Sequence, residues 1–188
     1  MRAILSLLLV MVVGTASSSH AEDRNWSISI IQAAQVRGPL KNTFTEHWPT
    51  YLGFLRVSKE FAGSKQNLTW EVEGQVAKHF GLQHHWETNA VVVDRWNPFF
   101  WDDYIDTSLA VGEGLSYASE IPEVERERHK ETARLLNYLL FELTLALPRY
   151  PNLQATAVMH HRSGAFGLFS GVQGGSNFIG YGVKYLFW

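Results

Sequence analysis

The last strand-like segment of the chain alternates between an apolar, aromatic face and a face of small or polar residues. Successive side chains of a β-strand point to opposite faces, so residues of equal parity lie together. One face carries Ile179, Tyr181, Val183, Tyr185 and Phe187. The other face carries Gly180, Gly182, Lys184 and Leu186. A closing strand of this kind, ending on Phe187-Trp188, is typical of a β-barrel whose outer wall contacts lipid.

Seven further segments have the length and alternation of strands that cross an outer membrane, which are about 9–11 residues long. With the last segment, they span residues 25–35, 50–61, 68–80, 84–94, 106–117, 133–147, 153–163 and 176–187. In the third segment Glu71, Glu73 and Gln75 share one face, and Val72 and Val76 share the other. Carboxylates inside suit a narrow barrel filled by polar side chains. We therefore predict an all-β fold, an eight-stranded antiparallel transmembrane β-barrel of the outer-membrane type.

Two parts of the chain are less regular than the rest. The fifth segment is rich in small residues, so its two faces cannot be assigned from the pattern. The charged stretch Ser119–Thr132 is predicted to be an outer loop in contact with solvent, provided that both chain termini are periplasmic. The short stretch Pro148–Asn152 is then a periplasmic turn, as barrels of this class have short periplasmic and longer outer connections.

The N-terminus has the pattern of a secretory signal peptide. Arg2 precedes an apolar run over residues 3–13, and Ser19-His20-Ala21 fits a small-x-small cleavage site. We predict a signal peptide over residues 1–21 and a single barrel domain over residues 22–188. The predicted location is the outer membrane of a Gram-negative cell.

The composition excludes several classes of protein. The chain has no cysteine, which excludes disulfides, a cysteine-linked lipid anchor and a thiol nucleophile. A net charge of −2 is too weak a bias to predict nucleic acid as a partner. Seven Trp, seven Tyr and eleven Phe fit aromatic girdles at both membrane interfaces. An eight-stranded barrel is filled by side chains, which argues against a diffusion porin.

The seventh segment ends on a histidine and a serine that share one face. His161 and Ser163 have the parity of Leu153, Ala155 and Ala157, which is the predicted lipid-facing side. Polar groups on that side are unfavourable unless they lie at the headgroup level or have a function. A serine hydroxyl becomes a nucleophile when a base accepts its proton, and imidazole is the usual base. The pair therefore indicates an ester-cleaving site that faces the acyl chains of lipid.

The His-x-Ser pair on the penultimate strand, the eight strands and the aromatic last strand resemble the lipid A 3-O-deacylases of Gram-negative outer membranes (PagL-type barrels). The resemblance is topological over the mature chain and involves motifs over residues 155–188. It implies hydrolysis of an ester-linked acyl chain of lipid A, the lipid part of lipopolysaccharide, by a Ser–His–Glu triad on the outer wall. No cofactor and no metal are implied. His161 matches the base of the family, and Ser163 matches the nucleophile.

The chain departs from the family at two positions near the serine. Asn177 stands where the family carries its glutamate. By strand parity, Asn177 also points to the outer face, towards His161. Asparagine can orient an imidazole but adds no charge to stabilise the imidazolium. Gly164 replaces the family's usual asparagine after the serine, and its N–H is a candidate oxyanion-hole donor. The identity of the acid in the triad is left open, since glutamates of the outer loop could fold back towards His161: Glu120, Glu123 and Glu125.

Three other interpretations of the same pattern are possible. A non-catalytic barrel related to the deacylases would keep the scaffold for a structural or surface-binding role. An acyltransferase barrel needs an internal acyl pocket, which the inward Glu71 and Glu73 argue against. A metal site near the adjacent histidines His84-His85 and His160-His161 is conceivable. Because neighbouring strand residues face opposite ways, each pair offers one ligand per face, and we predict no metal.

Overall fold

A computed structural model describes residues 26–36, 47–64, 68–97, 99–128 and 131–187 of the 188-residue chain. Eight antiparallel strands close into one barrel in chain order, and the last strand pairs with the first. The strands are β1 (Trp26–Val36), β2 (His47–Ser64), β3 (Leu68–Gly81), β4 (Trp86–Trp96), β5 (Asp106–Ala118), β6 (Leu135–Ala146), β7 (Leu153–Ser163) and β8 (Gly175–Phe187). The predicted fold is thereby confirmed, whereas the predicted signal peptide lies outside the described residues.

The connections at the two ends of the barrel differ. The turn after β6, around Pro148–Asn152, is short, whereas the β5–β6 and β7–β8 connections at the opposite end are long. In barrels of this class the long connections are extracellular, and we call this end the outer end. The β5–β6 connection contains a short helix, α1 (Glu123–Arg128). No helix in the described ranges is long and apolar enough to span a membrane.

The barrel wall is apolar outside and polar inside. In β3 the side chains of Glu71, Glu73 and Gln75 are buried in the lumen, whereas Val72 and Val76 are about half exposed on the outside. β4 repeats the alternation of buried and exposed side chains over its whole length, although its buried set includes Val91 and Val93, which belong to an apolar cluster inside the barrel. An apolar exterior around a charged interior is the arrangement required by a barrel that crosses lipid, where the wall has no water to solvate polar groups.

The half of the lumen away from the outer end holds a network of buried ion pairs. Arg95 Nε donates to Glu71 Oε1 at 2.5 Å, and its Nη2 donates to Glu142 Oε2 at 2.8 Å. Arg56 Nη2 donates to Glu142 Oε1 at 2.5 Å, and Lys184 Nζ lies 3.6 Å from Glu71 Oε2. Strands β2, β3, β4, β6 and β8 all contribute charges, so the network links opposite walls of the barrel.

Replacing Glu142 by glutamine is expected to destabilise the barrel by about 3–5 kcal/mol, the usual cost of removing one partner from a buried ion pair. Glu142 accepts bonds from Arg56, Arg95 and Thr156, so its neutral amide would leave two guanidiniums with one carboxylate fewer. Urea unfolding in detergent micelles, followed by tryptophan fluorescence, measures the change. Glu120→Gln, at an exposed acid of the outer loop, is the matched control; equal midpoints for both variants would contradict the prediction.

The β5–β6 connection enters the outer mouth of the barrel. Glu125 on α1 is buried, and its Oε1 accepts bonds from Arg162 Nε at 3.0 Å and from Ser176 Oγ at 2.9 Å. Val124 beside it is also buried. The prediction of a solvent-exposed loop was therefore wrong for this part, because Arg162 at the top of the lumen requires a carboxylate that the strands do not supply.

Candidate functional site

Antiparallel pairing brings the predicted site residues together on the outer wall near the outer end. His161 on β7 lies directly opposite Asn177 on β8, and Ser163 lies two residues further along β7. On the other side of β7, Ser163 is opposite Asn137 of β6. His160 and Arg162 are buried in the lumen, so the alternation places His161 and Ser163 on the outer face, as the sequence predicted.

A hydrogen bond fixes the orientation of the His161 ring. Its Nδ1 lies 2.5 Å from Asn177 Oδ1. An amide oxygen only accepts, so with this amide orientation the Nδ1 of His161 carries the hydrogen. The other ring nitrogen, Nε2, then has a free lone pair and can accept a proton. Asn177 therefore holds the imidazole in the tautomer that a general base requires.

Ser163 is adjacent to this histidine but is not bonded to it. Two residues along a strand separate their Cα atoms by about 7 Å, and both side chains point outward. The hydrogen bonds formed within the described residues include none at Ser163 Oγ. Contacts between nucleophile and base are often long in free enzymes and tighten when substrate binds.

Gly164 is where the chain turns away from β7, and its N–H is already engaged. It donates to Gly174 O at 2.9 Å. A Cβ at this position would lie 2.0 Å from Val172 O, so no side chain fits here. The close approach explains why glycine follows the serine. It also gives no support to the predicted oxyanion function of the Gly164 N–H, because this conformation leaves that donor unavailable.

The loop after Ser163 is strained and presents apolar side chains. Ala165 and Phe166 both have left-handed backbone angles, with φ of 46° and 58°. Such angles are unfavourable for residues with a Cβ, and they cluster at functional sites. The side chains of Phe166 and Leu168 are 93% and 80% exposed. The loop thus places two large apolar groups above the lipid-facing wall, next to the candidate site.

The structure adds a carboxylate that the sequence did not identify. Glu113 on β5 points outward, and the Asn137 side-chain amide donates a hydrogen bond to it. Asn137 in turn lies opposite Ser163. The signal was present, since Glu113 interrupts the outward set of β5, which is otherwise apolar and consists of Leu109, Val111, Leu115 and Tyr117. A charge on the lipid-facing side requires an explanation.

The glutamates considered as substitutes for the missing acid do not reach His161. Glu125 does fold back, but it enters the lumen and pairs with Arg162. Glu123 is exposed and contacts Arg126 on its own helix. Glu120 is exposed in the loop, and Glu142 of β6 lies deep in the lumen. Among the described residues, Asn177 is thus the group that orients His161.

A shallow apolar groove lies on the same wall, on the far side of β8. It begins at Tyr181, which is opposite Ala157 and four residues from the level of His161. At about 3.3 Å per residue, this distance is about 13 Å along the strand. The groove continues over β1, β2, β3 and β4, and its lining includes Ile30, Gly53, Leu55, Val76, Trp86 and Val183.

Comparisons with known proteins bear on the fold. No protein-family model matches the chain, and no curated protein matches its sequence. Among solved structures, the chain is similar to the outer membrane enzyme PagL, with a TM-score of 0.57 and 14% identity over 86% of this chain and 98% of that one. The Yersinia pestis outer membrane protein Ail, studied in a phospholipid bilayer nanodisc, matches with a TM-score of 0.43 and 15% identity over 87% and 99% of the two chains.

Proposed function

We propose that this barrel is an outer-membrane ester hydrolase that removes an acyl chain from lipid A, in the manner of the 3-O-deacylases. The observation that carries the proposal is the His161–Asn177 pair beside Ser163, on the lipid-facing wall at the outer end. Lipid A occupies the outer leaflet of such membranes, so its ester bonds lie at the level of this site. Export would use the signal peptide predicted over residues 1–21.

The reaction would follow the serine-hydrolase scheme. Ser163 Oγ attacks the acyl carbonyl carbon while His161 Nε2 accepts the hydroxyl proton. The bond from that carbon to the sugar oxygen breaks, and the imidazolium returns the proton to this oxygen as the sugar leaves. Water then hydrolyses the acyl-serine, with His161 again acting as the base. Asn177 holds the tautomer that both steps require.

The oxyanion needs donors other than Gly164. The first N–H groups of a helical turn have no partner within that turn, and residues 165–167 form a single 3₁₀ turn directly after the site. Ala165 and Phe166 are therefore the nearest backbone donors along the chain from Ser163. Their left-handed backbone aims these N–H groups differently from an ordinary strand, which supports a use at this position.

The apolar groove offers a place for the acyl chain being cleaved. A lipid A acyl chain runs from the headgroup level towards the bilayer centre, which is the direction from His161 to Tyr181 along the wall. The groove begins at Tyr181 and is lined mainly by aliphatic and aromatic side chains. Contact with this groove would keep the ester near Ser163 while the remaining acyl chains stay in the bilayer.

Glu113 would supply part of the charge that Asn177 lacks. Glu113, Leu139 and His161 form one row across β5, β6 and β7, so the carboxylate lies two strands from the histidine. Two strand spacings are about 10 Å. At an effective dielectric of about 20, unit charges at that distance interact by about 1–2 kcal/mol. The carboxylate would therefore stabilise the imidazolium that forms during the reaction.

Glu113→Gln is expected to lower the deacylation rate by about tenfold, because glutamine still accepts the bond from Asn137 and only the charge is lost. The rate is measured on lipid A in mixed micelles with the purified protein. Glu120→Gln removes an exposed acid of the outer loop and is expected to leave the rate unchanged. Equal rates for both variants and wild type would exclude an electrostatic contribution from Glu113.

Mass spectrometry of lipid A tests the proposed function directly. In cells that express the protein, lipid A is expected to lose one hydroxyacyl chain. Its mass should fall by the mass of one hydroxy fatty acid less one water. Cells with the empty vector should keep the full acyl pattern. Identical spectra, with the barrel detected as folded in the outer membrane, would overturn the proposal.

The second candidate is a non-catalytic barrel with a structural or surface-binding function. Two observations favour it: the Gly164 N–H is engaged with Gly174 O, and an asparagine occupies the acid position. A fluorophosphonate probe separates the candidates, since it forms a covalent bond with an activated serine. Labelling of Ser163 supports the hydrolase, and no labelling together with an unchanged lipid A supports the non-catalytic barrel.

A further inference from the structure

A second group of imidazoles lies inside the barrel, away from the outer wall. His79 on β3, His85 on the β3–β4 connection, Glu87 on β4 and His160 on β7 are all buried. They occupy the outer half of the lumen, beneath the layer formed by Glu125 and Arg162. Leu82 and His84, beside them on the same connection, are exposed. The group therefore lies just under the outer surface and is independent of the lipid-facing site.

Three of these side chains converge on one point. One possible ligand atom from each of His79, His85 and Glu87 lies within 4.8 Å of the other two. His79 Nε2 is 3.0 Å from Glu87 Oε2. Around a tetrahedral zinc ion, with bonds of about 2.0–2.2 Å, neighbouring ligand atoms are about 3.3 Å apart. Side-chain rotations, including a turn of the His85 ring out of its stack on His79 (centroids 4.0 Å apart, 19° between the planes), would bring the three atoms to metal-binding distances.

A hydrogen-bond network alone leaves several atoms of this group without partners. His85 Nε2 and Gln83 Oε1 are buried, and no group of the described residues forms a hydrogen bond with either atom. His160 Nδ1 is likewise buried without a hydrogen-bond partner among the described residues. Burying a polar atom without a hydrogen-bond partner is unfavourable. A cation bound at His85 Nε2 would satisfy that nitrogen, which the surrounding protein groups do not.

The neighbours are also those that orient metal ligands. A metal-bound histidine usually donates its second ring N–H to a carbonyl or carboxylate. Gln83 lies 2.8 Å from His79 Nδ1, and turning its amide would present Oε1 to that N–H. His160 Nε2 lies 3.0 Å from Glu87 Oε1, the carboxylate oxygen that does not face His79. Gln83 is therefore in place as the second partner of His79, and His160 lies at ion-pair distance from Glu87 without hydrogen-bond geometry.

We propose that His79, His85 and Glu87 form a binding site for a divalent transition-metal ion inside the outer mouth of the barrel, with Gln83 and His160 as orienting partners. Two imidazoles and one carboxylate are ligands that zinc prefers, and three protein ligands leave one position open. The prediction of no metal was based on the adjacent pairs His84-His85 and His160-His161. It missed this set because His79 and Glu87 come from separate strands.

Zinc binding to the purified barrel tests the site. The protein is prepared without a histidine tag, folded in detergent micelles, treated with a chelator and dialysed against Zn²⁺, and the metal is counted per chain. Wild type is expected to retain one ion. In His85→Phe the affinity should fall at least about 100-fold, since loss of outer partners alone costs about 10–100-fold. Phenylalanine keeps the ring that stacks on His79 at 4.0 Å.

His84→Phe is the matched control, because it removes the adjacent exposed histidine and should keep the ion. Heat-modifiable electrophoretic mobility verifies that each variant is folded. Co²⁺ gives a readout that needs no variant: strong visible absorption that Zn²⁺ abolishes indicates a tetrahedral site. Three results would overturn the proposal. Wild type could retain no zinc, His84→Phe and His85→Phe could lose zinc equally, or the Co²⁺-treated protein could give only the weak spectrum of hydrated Co²⁺.

Discussion

Cells that express Ser163→Ala are expected to keep lipid A fully acylated, in contrast to cells that express the wild-type chain. Loss of the nucleophile in serine hydrolases lowers turnover by up to about 10⁶-fold. The fold should not change, because Ser163 Oγ forms no hydrogen bond with the described residues, and such substitutions alter stability by about 0.5 kcal/mol or less. Mass spectrometry of lipid A, with barrel content measured by heat-modifiable mobility, gives both readouts.

Thr88→Ala is the matched control for this substitution. Thr88 also carries a hydroxyl on the outward face, close to the outer end, but it lies on β4, across the barrel from the candidate site. Its removal should leave deacylation intact. A fully active Ser163→Ala protein would exclude Ser163 as the nucleophile, even if the wild-type barrel removes an acyl chain.

Replacing Asn177 by aspartate is expected to raise the deacylation rate, by up to about 10⁴-fold. The opposite change in a serine protease triad lowers turnover by about that factor. Aspartate has nearly the same shape, accepts the bond from His161 Nδ1–H, and adds the charge that stabilises the imidazolium. A carboxylate close to the membrane interface is unfavourable by about 1 kcal/mol or less, so the barrel should tolerate it.

Initial rates on lipid A in mixed micelles measure this gain. Asn152→Asp introduces the same change in the turn after β6, at the opposite end of the barrel, and should not alter the rate. The double variant Ser163→Ala/Asn177→Asp should be inactive, which shows that any gain depends on the serine. A rate equal to or below wild type for Asn177→Asp would mean that Asn177 does not act through His161.

Alternation and register could be predicted from the sequence because both follow from strand geometry. Counting residues across the short turn at Pro148–Asn152 puts Asn137 opposite Ser163, and the pairing of β6 with β7 has this register. Parity likewise predicted that His161 and Asn177 face the same side. Eight segments were identified from their length and alternation, and the described residues form eight strands at nearly the same positions.

The environment of the site was harder to predict, for two physical reasons. Glu113 was missed because the inward residues of β5 are small, which removes the contrast between its faces. The hydrogen bond of the Gly164 N–H depends on how the β7–β8 loop folds back, which no residue spacing encodes. The catalytic functions of Ser163, His161 and Asn177 stay predictions that the experiments above address.

The position of Glu125 shows a third limit of the sequence. Its charge and neighbours favour a loop in water, and nothing near it in the chain indicates a buried partner. That partner, Arg162, lies 37 residues away on β7, and the bond requires the loop to fold into the lumen. Long-range ion pairs between a loop and the lumen are therefore invisible to local patterns.

The charged lumen constrains the route by which this chain can enter a bilayer. Arg95 and Glu71 pair between the neighbouring strands β3 and β4, but Glu142 on β6 reaches Arg56 and Arg95, and Lys184 on β8 reaches Glu71, only across the closed interior. A half-formed sheet inserted in lipid would expose these groups to hydrocarbon, at several kcal/mol for each unpaired charge. The strands must therefore keep the concave side in water until β8 reaches β1. Insertion and closure are then a single event.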